Sequence, residues 1–398
     1  IFPRLEGPIG PRMKFQGKEV IFWSANDYLG LCNHPEVLEA DAKAAAEYGM
    51  FYPMGARAMS GETEQHLQLE RELADFVGKE SAYLLNFGYQ GMLSTIDALV
   101  SRHDVIVYDS NSHACIVDGV RLHMGKSFMF RHNDMDSFEK NIKRATKVAE
   151  ENGGGILVIT EGVFGMTGQQ GKLKEIAEFK KQYSFRLLVD DAHGFGTLGK
   201  TGAGAGEEQG CQDQIDVYFS TFAKSMAGFG AFIAGNKEII RYLKFNLRSQ
   251  IFAKSLTMPM VIGGLKRLEL LRTRPEIKAK LWENVEKLQN GLLDRGFNLG
   301  NSNTCVTPVF MQGTPVEATL LVKDLRENFG IFTSVVVYPV IPKGSILLRL
   351  IPTASHTDAE INETLAAFEA IHDKLVNGVY KQQAEKLLEE QNLSFKPL

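Results

Sequence analysis

The sequence predicts an α/β protein, with a mostly parallel central sheet carrying helices on both faces and a smaller C-terminal α+β domain. Between residues 64 and 260, short apolar β-rich runs alternate with helical stretches, as they do when helices form the crossovers of a parallel sheet. After about residue 260, long charged helical stretches lead into a second group of strands. A chain of 398 residues also exceeds what one core usually holds. We therefore expect an N-terminal segment over 1–45, a large domain over 46–275 and a small domain with a charged tail over 276–398.

Taken in order, Glu19 to Trp23 reads as a strand, and Asn26-Asp27-Tyr28-Leu29-Gly30 as a turn before a helix led by Pro35. Leu69, Leu73, Phe76 and Val77 recur at helical spacing, with Gly78 where the helix should stop. The β-rich runs are Ala82 to Leu85, Val105 to Tyr108, Ile156 to Thr160, Arg186 to Val189 and Val217 to Phe219. Helical stretches over Lys266 to Arg272 and Ile277 to Asp294 precede strands at Val306 to Met311, Ile331 to Val340 and Ile346 to Ile351. Thr357-Asp358-Ala359-Glu360 matches a capping box, and Ile361, Leu365, Phe368, Ile371 and Leu375 follow on one helical face. Lys381 to Asn392 reads as a solvated helix.

Composition excludes several function classes. Charged residues make up 23%, hydrophobic residues 44%, and no apolar run approaches the roughly 20 residues that span a bilayer. The net charge of −4, with both signs interspersed, gives no basic field for nucleic acid. Cys32, Cys115, Cys211 and Cys305 form no zinc or disulfide pattern, and the nine histidines have no helical metal spacing, so no metal site is expected. The first residues lack a signal-peptide pattern, which suits a cytoplasmic protein.

Gly194-Phe195-Gly196-Thr197-Leu198-Gly199 fits the dinucleotide-binding pattern, but it continues as Lys200 to Gly206 instead of opening an apolar helix. A loop after an active-site strand explains it better. Two other residues are more informative. Asp190 ends the strand before that loop, and Lys224 follows another strand-like run 34 residues on. A buried acid needs a cationic partner, and a lysine followed by the small-residue run Ser225 to Gly230 is unlike a solvated one. An acid for a pyridinium nitrogen and a lysine for a Schiff base are what an enzyme using pyridoxal 5'-phosphate (PLP) supplies. His193 can donate to the cofactor's phenolic oxygen or be an ordinary loop histidine. Asn86 to Gly91, including Gly88 and Tyr89, joins a strand to a helix whose N–H groups suit a phosphate, and Thr221 can add a hydroxyl. His113 taken alone could equally be a core histidine.

These residues lie in segments that resemble the α-oxoamine synthases, fold-type I PLP enzymes that join an amino acid to an acyl thioester with loss of CO₂. The matching segments are Ser24 to Leu31, Ser112 to Gly119, Thr160 to Phe164, Val189 to Gly194, Ser220 to Ser225, Leu348 to Leu350 and Ala354 to Thr357, so the likeness spans about residues 15–378. The resemblance implies that His113 stacks on the cofactor ring and hydrogen-bonds the acyl carbonyl. It also implies that Asp190 and His193 bind the ring's nitrogen and phenolic oxygen, that Lys224 holds the cofactor covalently and acts as base, and that Arg349 and Asn26 hold the amino-acid carboxylate. It further implies a homodimer with a shared active site, in which Ser255 reaches the neighbour's phosphate, and an acyl donor carried on CoA or an acyl carrier protein. An aminotransferase of the same fold would share Lys224 and Asp190 but would not require the His113 and Ala354 to Thr357 segments.

Ser220 to Ala227, Gly230 to Gly235, Leu281 to Asn284 and Leu292 to Gly300 resemble bacterial serine palmitoyltransferases, which favours a serine-like amino acid, a long acyl chain and sphingoid-type lipid synthesis. Tyr338 to Gly344 instead resembles aminoketobutyrate ligase, so glycine- or alanine-using chemistry, including that of aminooxononanoate synthase, stays open. A lipid product would suit loose membrane association, although no helix reads as an interfacial anchor. Two departures stand out. Gly165 replaces the family's serine, and Met50 to Arg57 replaces its glycine-rich stretch. They mark either an altered amino-acid pocket or drift away from the substrate. An anionic substrate, such as the cysteate used in sulfonolipid synthesis, would also need a cation such as Arg57 or Lys254.

Overall fold

The computed structural model describes residues 2–338, 341 and 343–390. Two compact units are present. One comprises His34–Gly165 and Gln169–Lys278; the other holds the first 33 residues, Met166–Gly168 and the chain from Ala279 onward.

The larger unit is built on a seven-stranded sheet of β1 (Ser81–Leu85), β2 (Val105–Asp109), β3 (Lys126–Phe130), β4 (Ile156–Glu161), β5 (Arg186–Asp190), β6 (Val217–Thr221) and β7 (Ala231–Gly235). Its spatial order is β1-β7-β6-β5-β4-β2-β3, and all neighbours are parallel except around β7, which runs antiparallel to β1 and β6. Every residue of β4, β6 and β7 is buried, which explains why these strands read as continuous apolar runs with no alternation. The predicted strands all occur, extended by one or two residues at one end. The edge strand β3 had too little apolar character to be recognised, since most of its residues face solvent. Gly78 adopts a left-handed φ of +63° just beyond the helix Glu64–Phe76.

In the smaller unit, Thr307–Gln312, Ser345–Leu350 and Ser334–Val336 form an antiparallel sheet, and Ile331–Phe332 pairs in parallel with Lys18–Phe22 in another. The run expected as one strand from Ile331 to Val340 therefore divides between two sheets. The division falls at Thr333, whose buried hydroxyl donates to the Arg349 carbonyl at 3.0 Å. Pro339, Val340 and Pro342 lie outside the described residues, so the segment resembling aminoketobutyrate ligase is described only in part. Thr357 caps Asp358–Val376 in the expected box with Glu360. The following helix, Val379–Glu390, is less solvated than expected: Tyr380 and Ala384 are buried, and the Tyr380 hydroxyl donates to Asp324 at 2.6 Å. Among the described residues, no helix is long and apolar enough to cross a membrane.

Candidate active site

Parallel strands deliver their C-terminal residues to one edge of the sheet, where ligands of open α/β sheets bind. Glu161 ends β4 and Asp190 ends β5, and the two are paired in register. Both carboxyls are buried. Asp190 Oδ1 accepts from Ala192 N–H at 3.1 Å, and Cys115 Sγ lies 3.9 Å from Oδ2. Burial raises the Asp190 carboxyl above its ordinary range, and the positive charge of Lys224 is the main opposing influence. Glu161 is raised well above the usual carboxylate range by burial and then by the charge on Asp190. Burial and the neighbouring Asp190 charge both favour the neutral form of Glu161.

Glu161 also accepts the His113 backbone N–H at 2.5 Å, which fixes the start of the helix Ala114–Leu122. His113 is exposed; its ring sits 3.0 Å from Cys115 Sγ through Nδ1 and meets Tyr89 edge to face at 6.4 Å. Burial chiefly lowers its pKa, so the imidazole is neutral and able to stack on a ring. Glu161 was visible in the sequence only as part of a matching segment. Its register with Asp190 and its bond to His113 appear only in the fold.

Lys224 is half-buried beyond β6. Thr221, at the end of β6, donates to Gly230 O at 3.1 Å and accepts from Ala223 N–H at 3.2 Å. A Cβ placed on Gly88 would lie 3.1 Å from Thr221 Oγ1, so these two form one wall. Gly88 opens the helix Gly88–Leu99, whose N-terminus has no side-chain cap. Its first N–H groups, those of Gly88 and Tyr89 included, are thus available to an anion. Ser255 is buried and its hydroxyl has no hydrogen-bond partner. A buried acid beside a lysine, a neutral histidine and an uncapped helix end fit PLP's ring nitrogen, aldehyde, ring face and phosphate in turn.

His193 is buried, and its carbonyl accepts from Thr197 Oγ1 at 2.7 Å. A Cβ on Gly165 would overlap His193 Nε2, so the departure from the family's serine is a close approach to the imidazole. Several glycines around this loop, Gly194 of the dinucleotide-like pattern among them, also have a structural reason. A Cβ on Gly162, Gly194 or Gly204 would overlap the Asp191 carboxyl, which is fully buried, accepts from Tyr218 Oη and Ala205 N–H at 2.9 Å each, and is pushed up to about 7 by burial.

In the smaller unit, Arg349 Nη2 donates to Asn26 Oδ1 at 3.1 Å, and the buried Tyr28 hydroxyl also bonds the guanidinium. Nearby, Trp23 stacks on His356 at 4.0 Å and donates to Thr364 at 3.0 Å, holding the segment after Arg349 in place.

Arg57 is already engaged within the protein. Its guanidinium is buried, bonds Glu70 at 2.8 Å and Glu62 at 3.3 Å, and lies over the Tyr83 ring at 5.0 Å. Two carboxylates already pair with it, so the structure places it in an ion-pair network of the larger unit.

The chain matches the class I and II aminotransferase family over residues 18–368. It is 67% identical over 390 residues to a cysteate-C-fatty acyltransferase from Capnocytophaga ochracea, covering 98% of this chain and 93% of that protein. It is 35% identical to a serine palmitoyltransferase from Sphingobacterium spiritivorum, covering 94% and 90%. A solved serine palmitoyltransferase from S. paucimobilis, with PLP and myriocin bound, superposes with a TM-score of 0.88 at 29% identity, covering 94% and 93%. The chain belongs to the class I and II aminotransferase family of fold-type I PLP enzymes and, within it, to the C-acylating α-oxoamine synthases.

Proposed function

We propose that this enzyme condenses cysteate with a long-chain fatty acyl thioester, releasing CO₂ and the thiol and leaving an α-amino ketone that bears a sulfonate. The 67% identity to a cysteate-C-fatty acyltransferase over nearly the whole chain carries this reading. PLP, when bound, supplies an electron sink for the carbanion at the amino acid's Cα. The chain's residues do the rest. Asp190 keeps a proton on the ring nitrogen, which strengthens the sink, and His193 donates to the phenolic oxygen. His113 stacks on the ring and donates a hydrogen bond to the acyl carbonyl, while Glu161 holds the His113 backbone. The Lys224 amine takes the Cα proton as general base. The Arg349 guanidinium binds the α-carboxylate in a fork geometry lysine cannot reproduce, oriented by Asn26. The N–H groups of Gly88 and Tyr89, with the Thr221 hydroxyl, hold the cofactor phosphate, and Ser255 reaches the phosphate of a second subunit in a homodimer. The acyl donor is carried on CoA or an acyl carrier protein. A serine-using enzyme is the second reading, favoured by the likeness to serine palmitoyltransferases.

The test supplies purified holoenzyme with cysteate, serine, glycine or alanine, then palmitoyl thioester, and measures CO₂ release. Cysteate should give the highest kcat/KM. A higher value for serine would replace the first reading with the second, and acyl-independent CO₂ release from every amino acid would defeat both.

A further inference from the structure

We infer that Lys254 is the residue that selects an anionic amino-acid side chain, by pairing with its sulfonate; this rests on the cysteate reading above. Of the two cations that sequence departures point to, Arg57 is consumed by Glu70 and Glu62. Lys254 is different. It is half-buried, and among the described residues no carboxylate lies within ion-pair distance of it. Its Nζ sits 3.5 Å from Met54 Sδ and 5.1 Å from the centroid of the Phe51 ring. A thioether and an aromatic face hold an ammonium in position without forming an ion pair with it, so it stays open to an anionic ligand.

The Lys254 backbone is fixed beside the cofactor cup. The Lys254 carbonyl accepts from Asn86 Nδ2 at 2.6 Å, and Asn86 begins the loop that opens the uncapped helix at Gly88. Gly88 packs on Thr221, three residues before Lys224. The same segment is stitched to the divergent 50–57 stretch, since Ser255 N–H donates to Gly55 O and Met258 N–H to Tyr52 O, each at 2.9 Å. The stretch that departs from the family thus supplies both the loop that orients the ammonium and the two side chains it rests on. A sulfonate carries one negative charge over three oxygens at every physiological pH and is matched by one ammonium without any change of protonation.

The test uses holoenzyme carrying Lys254→Gln, Lys254→Ala or Lys254→Arg. Cysteate and serine are titrated against the cofactor's absorbance, and kcat and KM are measured for each. Removing the charge should weaken cysteate binding roughly tenfold to a hundredfold, the cost of a lost charged hydrogen bond, and leave serine binding unchanged. Arginine should restore most of the preference. Equal losses for both amino acids, or unchanged cysteate binding, would overturn the assignment. A fall in affinity for PLP or for the acyl thioester, measured separately, would also overturn it, because the anion would then be a phosphate of the cofactor or of the donor. If the wild-type enzyme binds no cysteate, the functional reading fails together with this one. If it binds cysteate but the glutamine variant binds it equally well, only Lys254 is wrong.

Discussion

Glu161→Gln tests whether the buried carboxyl beside Asp190 carries a proton. Glutamine keeps the acceptor that takes His113 N–H at 2.5 Å and replaces the carboxyl O–H with an amide N–H. If Glu161 is protonated in the fold, this exchange should change stability by about 1 kcal/mol or less, since neither hydrogen-bonding partner is stranded. Glu161→Ala should cost about 2–4 kcal/mol, combining an unsatisfied buried N–H with a cavity. The pH dependence is more decisive. A carboxyl whose folded pKa lies above its ordinary 4.5 contributes full stability below that value and loses it as pH rises toward the folded pKa. Glutamine has no such loss. The stability of the variant minus that of wild type should therefore be near zero at about pH 4 and grow as pH rises toward neutrality. Thermal unfolding over a pH series measures this. A difference that is flat, or that shrinks with pH, would mean that Glu161 is ionised and that the proton belongs elsewhere.

Two further outcomes follow from the packing. Arg57→Ala should cost about 3–5 kcal/mol, because Glu70, which also accepts from Leu84 N–H at 3.0 Å, would stay buried without its cation. Denaturant unfolding reads this, and a rise in the KM for cysteate with stability unchanged would restore Arg57 as a substrate residue. Gly165→Ser should force His193 from its position and cost about 1–3 kcal/mol of overpacking. Thermal unfolding together with PLP affinity checks it, and a variant with wild-type values for both would show that the imidazole adjusts at no cost.

Local patterns in the chain were enough for the strand alternation, the capping box at Thr357 and the strand-end positions of Asp190 and Lys224. Each depends on apolar period, cap chemistry or residue type within one element, and these act over a few residues. The edge strand β3 escaped because an exposed strand need not be apolar, and the 331–340 run was misjudged because its change of sheet depends on Thr333 reaching Arg349. The glycine-rich loop after Asp190 imitated a nucleotide-binding pattern for a reason visible only in three dimensions: Gly194 and Gly204 make room for the buried Asp191, Gly196 for Ser225 and Gly199 for Glu207.

What the sequence determined by itself was therefore the fold class, the cofactor and a set of candidate groups to serve it. What the tertiary structure decided was the state of each charge. Arg57 and Lys254 were equivalent as letters, yet folding set two carboxylates against one and, among the described residues, a sulfur and a ring against the other. Glu161 became a partner of Asp190 and His113 only when β4 and β5 paired in register. A charge's availability depends on which groups lie within a few ångströms of it, and those neighbours come from positions well over a hundred residues away in the chain, as Met54 is from Lys254.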